Sequence, residues 1–382
     1  MKHRIYLDWN ATTPLRCEAR AAMEAAWDLV GNPSSVHAEG RQSRQLVEDA
    51  RLAIARCLGA AARNVIFTSS GTEANALALA PQQGRKGPIS RLLVSAIEHA
   101  SVLAGGLFPD DAVSQIPVQR NGIIDLAALG QLLSSGPPAL VSIMAANNET
   151  GAVQPVSEAA RLVHEADGLL HVDAIQAVGR IPYDINVMGA DLTSLSGHKI
   201  GGPKGVGALV LAADVAGPEP LLRGGGQEQG RRAGTENVAG IAGFAAAMVA
   251  AIAAREVDMA RIALLRQCLE RGLEDSGAMI FSQEVDRLPN TTAFALPGLQ
   301  AQTAVIGFDL EAIALSSGAA CSSGKVQPSH VLLAMGCDPA SARGALRISL
   351  GWLTSEAEIE HCLDSWQRIR ARHARLQGQA TD

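Results

Sequence analysis

Short apolar runs alternate with helix-period segments through the first two-thirds of the chain. Val65-Ile66-Phe67-Thr68 predicts a strand, followed by a Ser/Gly turn and a helix from about Glu73 to Leu79. Arg91 to Ala96, Ala139 to Ala145 and Leu169 to Val172 predict further strands, and Val156 to Glu165 a helix between the last two. Strands separated by helices and Gly/Asn turns specify a mostly parallel sheet covered on both faces. Such sheets bind ligands where their strands end at the carboxyl edge. From Ala242 to Arg271 the pattern becomes one long helical stretch, apolar at helical spacing with charges between. Thr291 to Leu296 and Gln302 to Ile306 then begin a second α/β segment. The expected fold class is therefore α/β. A large domain spans 14–258, and a smaller one combines 1–13 with 259–382, the hinge lying inside the long helix.

Composition narrows this picture without redirecting it. The chain has 382 residues, is 47% hydrophobic and has a mean hydropathy of +0.12, which fits a well-buried enzyme and not a disordered chain. A formal net charge of −6 offers no basic surplus for nucleic acid or an anionic membrane. The basic cluster from Arg368 to Arg375 reads as the solvated face of a terminal helix. No unbroken apolar run reaches the ~18 residues of a membrane span. Ile241 to Ala254, closed by Arg255 and Glu256, reads as a buried helix. The first residues lack the apolar stretch of a secretion signal. Six cysteines without CxxC spacing are expected to be reduced thiols in a cytoplasm.

Candidate chemistry gathers at the predicted strand ends. Lys199 lies in Ser196-Gly197-His198-Lys199-Ile200-Gly201-Gly202. This tight backbone carries small donors, so Ser196 and His198 could hold a phosphate while the amine reaches an aldehyde carbon; a plain Gly-rich turn remains the alternative. Gly71 and Thr72, in Ser69-Ser70-Gly71-Thr72-Glu73, open a helix after a strand and offer backbone donors to an anion. An ordinary helix cap fits equally. Asp173, in His171-Val172-Asp173-Ala174-Ile175-Gln176, could pair with a pyridine nitrogen, and Gln176 with a phenolic oxygen. His99 follows another strand, where an imidazole can stack on a ring and shuttle protons. Asn148, in Asn147-Asn148-Glu149-Thr150-Gly151, could reach ring or substrate.

In this order, these segments resemble the cysteine desulfurases, within the class V aminotransferase group of fold-type I pyridoxal-phosphate (PLP) enzymes. The resemblance runs from Tyr6-Leu7-Asp8-Trp9-Asn10-Ala11-Thr12-Thr13-Pro14 and Gly31-Asn32-Pro33-Ser34-Ser35-Val36-His37 through the segments above. It continues to Gly224-Gly225-Gly226-Gln227-Glu228, Arg231-Arg232-Ala233-Gly234-Thr235-Glu236-Asn237, Ser316-Ser317-Gly318-Ala319-Ala320-Cys321-Ser322 and Leu346-Arg347-Ile348-Ser349-Leu350-Gly351. It implies PLP as cofactor and Lys199 as its Schiff-base lysine. Asp173 and Gln176 would partner the ring, with Gly71, Thr72, Asn148, Ser196 and His198 around the cofactor and His99 as the stacking acid–base residue. Thr235 resembles a residue lent by the other subunit, which implies a homodimer with shared sites. Arg347 resembles the clamp for the substrate carboxylate, with Asn148 beside it; its donor fork suits that task.

Cys321 decides the reaction that the resemblance implies. It lies in a small-residue stretch suited to a mobile loop, although outside the resemblance such a cysteine is more often an idle thiol. A travelling thiolate would take sulfur from L-cysteine, leave alanine, and pass the persulfide to an acceptor such as an iron–sulfur scaffold protein. The long segment resembles the group serving iron–sulfur assembly or nitrogenase maturation. No resident metal is implied, although Cys321 could transiently ligate a cluster during transfer. Trp9 stands where the family more often has Asn, and a Trp at the site mouth would narrow it. The short stretch after Arg347 lacks the tail that some relatives use to engage a scaffold. Rival readings are a selenocysteine lyase or aminotransferase of the same fold, and a PLP-binding scaffold without catalysis.

Overall fold

The computed structural model describes residues 4–84, 87–318 and 327–379. Its main sheet contains β1 (Val65–Thr68), β2 (Leu92–Ser95), β3 (Val113–Ile116), β4 (Leu140–Met144), β5 (Leu169–Asp173), β6 (Leu192–Ser196) and β7 (Gly207–Leu211), in the order β1-β7-β6-β5-β4-β2-β3. β7 runs antiparallel to both neighbours and every other pairing is parallel. All residues of β1, β2, β4, β5, β6 and β7 are buried, as a sheet covered on both faces requires. Strands β3, β6 and β7 were not predicted individually. β3 is an edge strand with polar Ser114 and Gln115, and β6 interleaves Thr193 and Ser194 with leucines, so neither reads as an apolar run.

Among the covering helices are α1 (Cys17–Trp27), α2 (Ala38–Leu58), α3 (Gly71–Ala78) and α4 (Val156–Glu165). The long predicted helix is α5, Val238–Glu274. An 18-residue window of α5 is apolar enough, at mean hydropathy 1.8, to cross a membrane by length and composition. The unbroken-run criterion missed it. Half of that window is buried in the protein, with α5 packed against α1 and α2. Ile241, Phe244, Ala247, Met248 and Ala251 enter the core under the main sheet, whereas Ile262, Leu265, Leu269 and Leu273 enter a second core. The helix is apolar on several sides because it serves two cores.

That second core is covered by a four-stranded antiparallel sheet of β8 (Met279–Ile280), β9 (Thr291–Ala295), β10 (Ser316–Ser317) and β11 (Leu346–Ser349), in the order β8-β9-β11-β10. Helices α6 (Ala301–Leu310) and α7 (Glu356–Gln379) complete it; Gln302 to Ile306 lies within α6. Trp366, fully buried from α7, packs edge-on to Phe294 and stacks with Phe308. The chain's start joins this unit. Ile5–Tyr6 pairs in parallel with Ile313–Ala314, and Asp8 bridges to Ser349.

Candidate active site

One cavity of about 390 Å3 opens where the parallel strands end, as their topology favours. Five connections feed it. After β1 come Ser70, Gly71 and Thr72 at the start of α3; after β2, His99 and Ser101; after β4, Ala146 and Asn148. Asp173 ends β5 and is followed by Gln176, while Ser196 ends β6 and is followed by His198 and Lys199. Arg347 and Ser316 close the cavity from the second sheet, and Asn10 and Ala11 cross it from the N-terminal segment. Nearly every candidate that the sequence scattered over almost 280 positions thus meets in one space.

The N-terminal segment holds Lys199. Its Nζ donates to the carbonyls of Asn10 at 2.6 Å and Ala11 at 2.8 Å. Burial and the nearby Arg347 and Arg180 guanidiniums bring its pKa down to about 7, against the pull of Asp8 and Asp173. Gln176 Nε2 also donates to Asn10 O, at 3.0 Å. Arg180, buried and brought to about pKa 10 by burial and Arg347, donates to the Gln176 carbonyl and side-chain oxygen and to the Lys199 carbonyl. Its position beneath the site gave no sequence signal. His198 Nδ1 lies 3.1 Å from Thr12 Oγ1. Burial, Lys199, Lys204 and Arg180 lower the His198 pKa to about 4, so its ring is neutral at pH 7.

Asp173 is buried, and burial raises its carboxyl above the usual range. Hydrogen bonds from Asn75 Nδ2 (2.8 Å) and the Ile175 amide (3.0 Å), with His99 and Lys199 nearby, oppose that rise. Asn75 and Ser101 were both missed. The available signal was an amide on the face of α3 that also carries buried Ala74, Leu77 and Ala78. The His99 pKa is lowered, chiefly by burial.

Arg347 is buried and donates to the Asn148 carbonyl at 3.0 Å and to Asp8 Oδ1 at 2.7 Å. Its Nε is buried without a partner among the described residues. Asp8 lay in a quoted motif but had been assigned no role. Trp9 corrects an expectation. It is 3% exposed and does not line the cavity mouth. It instead donates from Nε1 to the Tyr6 carbonyl and packs edge-on against Trp352 at 4.6 Å. Gly351 makes this possible, since a Cβ there would lie 2.0 Å from the Trp9 ring. Thr235 is exposed and outside the main cavity, in a neighbouring pocket with Ser69 and Arg232. Cys321 lies outside the described residues.

The chemistry of the cavity fits PLP. Ser196 Oγ and Arg347 Nε are buried polar atoms on its wall without partners among the described residues, and each could serve an anionic group. A buried carboxyl at Asp173 offers a counter-charge to a cationic ring, and a partly neutral amine at Lys199 offers a nucleophile for an aldehyde. Gly71, Thr72, Ser196 and His198 would hold the phosphate end, with His99 and Asn148 beside the ring.

A family model described as aminotransferase class-V matches residues 5–362. A "Cysteine desulfurase IscS" of Dictyoglomus turgidum is 39% identical over 378 residues, covering 97% of this chain and 95% of the relative. An "IscS-like cysteine desulfurase" of Mycobacterium tuberculosis is 40% identical, covering 94% of each. Among solved structures, a NifS-like protein from Rickettsia africae superposes with a TM-score of 0.86 at 35% identity, covering 96% of this chain and 99% of that one.

Proposed function

The chain belongs to the class-V aminotransferase family and is a PLP-dependent cysteine desulfurase, and from that premise we propose how its residues divide the work. The carrying observation is the meeting of Lys199, Asp173, His99, Asn148 and Arg347 in one cavity at the strand ends. When bound, the cofactor supplies an aldehyde and an electron-withdrawing ring that stabilises negative charge at the substrate Cα. Lys199 would hold the cofactor covalently and could serve as the base for the Cα proton; a pKa of about 7 suits both tasks. Asp173 would hold positive charge at the cofactor's ring nitrogen. Arg347 receives the carboxylate of L-cysteine, its unpartnered Nε being the free donor, and Asn148 fixes the guanidinium through its carbonyl. His99 faces the substrate thiol. The Cys321 thiolate takes the sulfur atom: an S–S bond forms as the substrate Cβ–S bond breaks, the bonding pair stays with the substrate carbon, which takes up a proton, and alanine leaves.

The persulfide then passes to an acceptor such as an iron–sulfur scaffold protein. Two subunits pair, each lending Thr235 to the other's phosphate site, in keeping with the exposure of Thr235 beside the cavity. The small domain meets the large one near residue 258, where α5 passes between cores and Arg16 approaches Asp258 at 3.7 Å. A cytoplasmic location agrees with the five free cysteines among the described residues. The test is Cys321→Ser: it should retain cofactor, bind L-cysteine and perturb the cofactor absorbance, yet release no sulfide under reductant. Sulfide release at the wild-type rate would remove Cys321 from the mechanism.

A further inference from the structure

The Asn75 side chain is fully buried on α3, yet its Oδ1 has no hydrogen-bond partner among the described residues. A buried orphan acceptor is destabilising, so stability alone does not explain an amide among alanines and leucines. Its nitrogen is fully used. Asn75 Nδ2 donates to Asp173 Oδ2 at 2.8 Å and to Ser101 Oγ at 2.9 Å, one hydrogen for each. The opposite amide orientation would set Oδ1 against a carboxylate. The Ser101 hydroxyl, having accepted from Asn75, keeps its own hydrogen for His99 Nδ1, 2.8 Å away. The Ser101 backbone N–H also points at Nδ1, at 3.1 Å, and an amide N–H can only donate. Nδ1 is therefore an acceptor twice over. Nε2 makes no hydrogen bond among the described residues, and the ring lines the cavity.

We propose that Asn75 and Ser101 are positioning residues that tie Asp173 and His99 into one hydrogen-bonded unit and hold neutral His99 with its proton on Nε2. This deepens the reading above and rests on it for the identity of the substrate. The resting imidazole then presents a donor to the cavity, and the substrate sulfur it meets is received as a hydrogen-bond acceptor. The charged and titratable groups acting on His99 are Asp173, which favours its cationic form, and Lys199 and His330, which oppose it. Protonation at Nδ1 would set it against the Ser101 backbone N–H, a donor that cannot turn away, so the unit itself favours the neutral ring.

The experiment is 15N-histidine NMR of the holoenzyme, with a His99→Gln variant to assign the signal. It should show a neutral ring protonated on Nε2 at pH 7. A neutral ring protonated on Nδ1, or an imidazolium, would overturn the proposal. Asn75→Ala and Ser101→Ala should each move the His99 Nδ1 shift and lower kcat about tenfold, with KM changed less than about twofold. That loss is a fraction of the 10²–10⁴ a proton-transfer group contributes. Ser101→Ala keeps the backbone N–H and removes only the relay hydroxyl, so it stays informative if Asn75→Ala fails to fold. Unchanged nitrogen shifts and kcat in a folded Ser101→Ala variant would refute the relay. The tautomer is read without Cys321, so sulfide release by Cys321→Ser would sink the desulfurase roles while leaving this measurement to stand or fall alone.

Discussion

Lys199 shows how a common side chain acquires a particular chemistry. Its ammonium is solvated by two backbone carbonyls in place of water, while two guanidiniums crowd it. Both burial and like charge favour the neutral amine, and the nearby carboxylates only partly restore the charge. In the cofactor-free protein, Lys199 should react with an amine-selective reagent with a rate midpoint near pH 7, more than three units below an ordinary lysine. Peptide mapping across a pH series checks this; a midpoint near 10 would contradict the account of its surroundings. Arg347 illustrates the complementary case. Two of its nitrogens are committed to Asp8 and Asn148, so the fork is aimed before substrate arrives.

At the scale of elements, the site depends on how α2 is pinned to the start of the sheet. Arg51 reaches from α2 to donate to both oxygens of Glu228, at 2.6 and 2.8 Å, and to the Val65 carbonyl of β1. Glu228 also accepts from the Phe67 amide and sits at φ +49°, a left-handed conformation that costs a non-glycine residue energy. The two side chains are 5% and 2% exposed. Removing one partner strands the other's charge in the core. Arg51→Met should cost on the order of 3–5 kcal/mol in urea denaturation, and adding Glu228→Gln should recover part of that loss. Additive losses would mean the pair is not a unit. The same loop leads to Thr235, so a loosened Glu228 would also displace the residue proposed to serve the second subunit.

For the whole molecule, stability should depend on pH through Glu149. It is 2% exposed, accepts from Ser329 Oγ at 2.5 Å, and has its pKa raised by burial to about 7. The folded state binds this proton more tightly than the unfolded chain, whose carboxyl titrates near 4.5. The stabilisation is fully present below pH 4.5 and is lost as pH rises to about 7, to a total on the order of 3 kcal/mol. Glu149→Gln, which can still accept from Ser329, should remove this slope and leave the variant the more stable protein at pH 8. Denaturant midpoints at pH 5 and pH 8 measure it. An unchanged slope in the variant would place the pH dependence elsewhere.

Much of this was legible in the chain itself. Apolar runs of strand length located β1, β2, β4, β5 and β9, and helical periodicity located α4 and α5, because burial on both faces of a sheet leaves little choice of residue. The order of short motifs named the family, and with it the cofactor and the candidate residues. Local pattern could not show which residues stand behind those candidates. Asn75, Ser101 and Arg180 act by contacts with groups up to 98 positions away in sequence, and no local signal encodes such a contact. It also misplaced Trp9, whose side chain is turned from the mouth by the space that Gly351 leaves. Sequence determined which chemistries could be present, since periodicity and motif are local. Only tertiary structure decided their protonation and aim, because burial and opposing charge are supplied by distant parts of the chain.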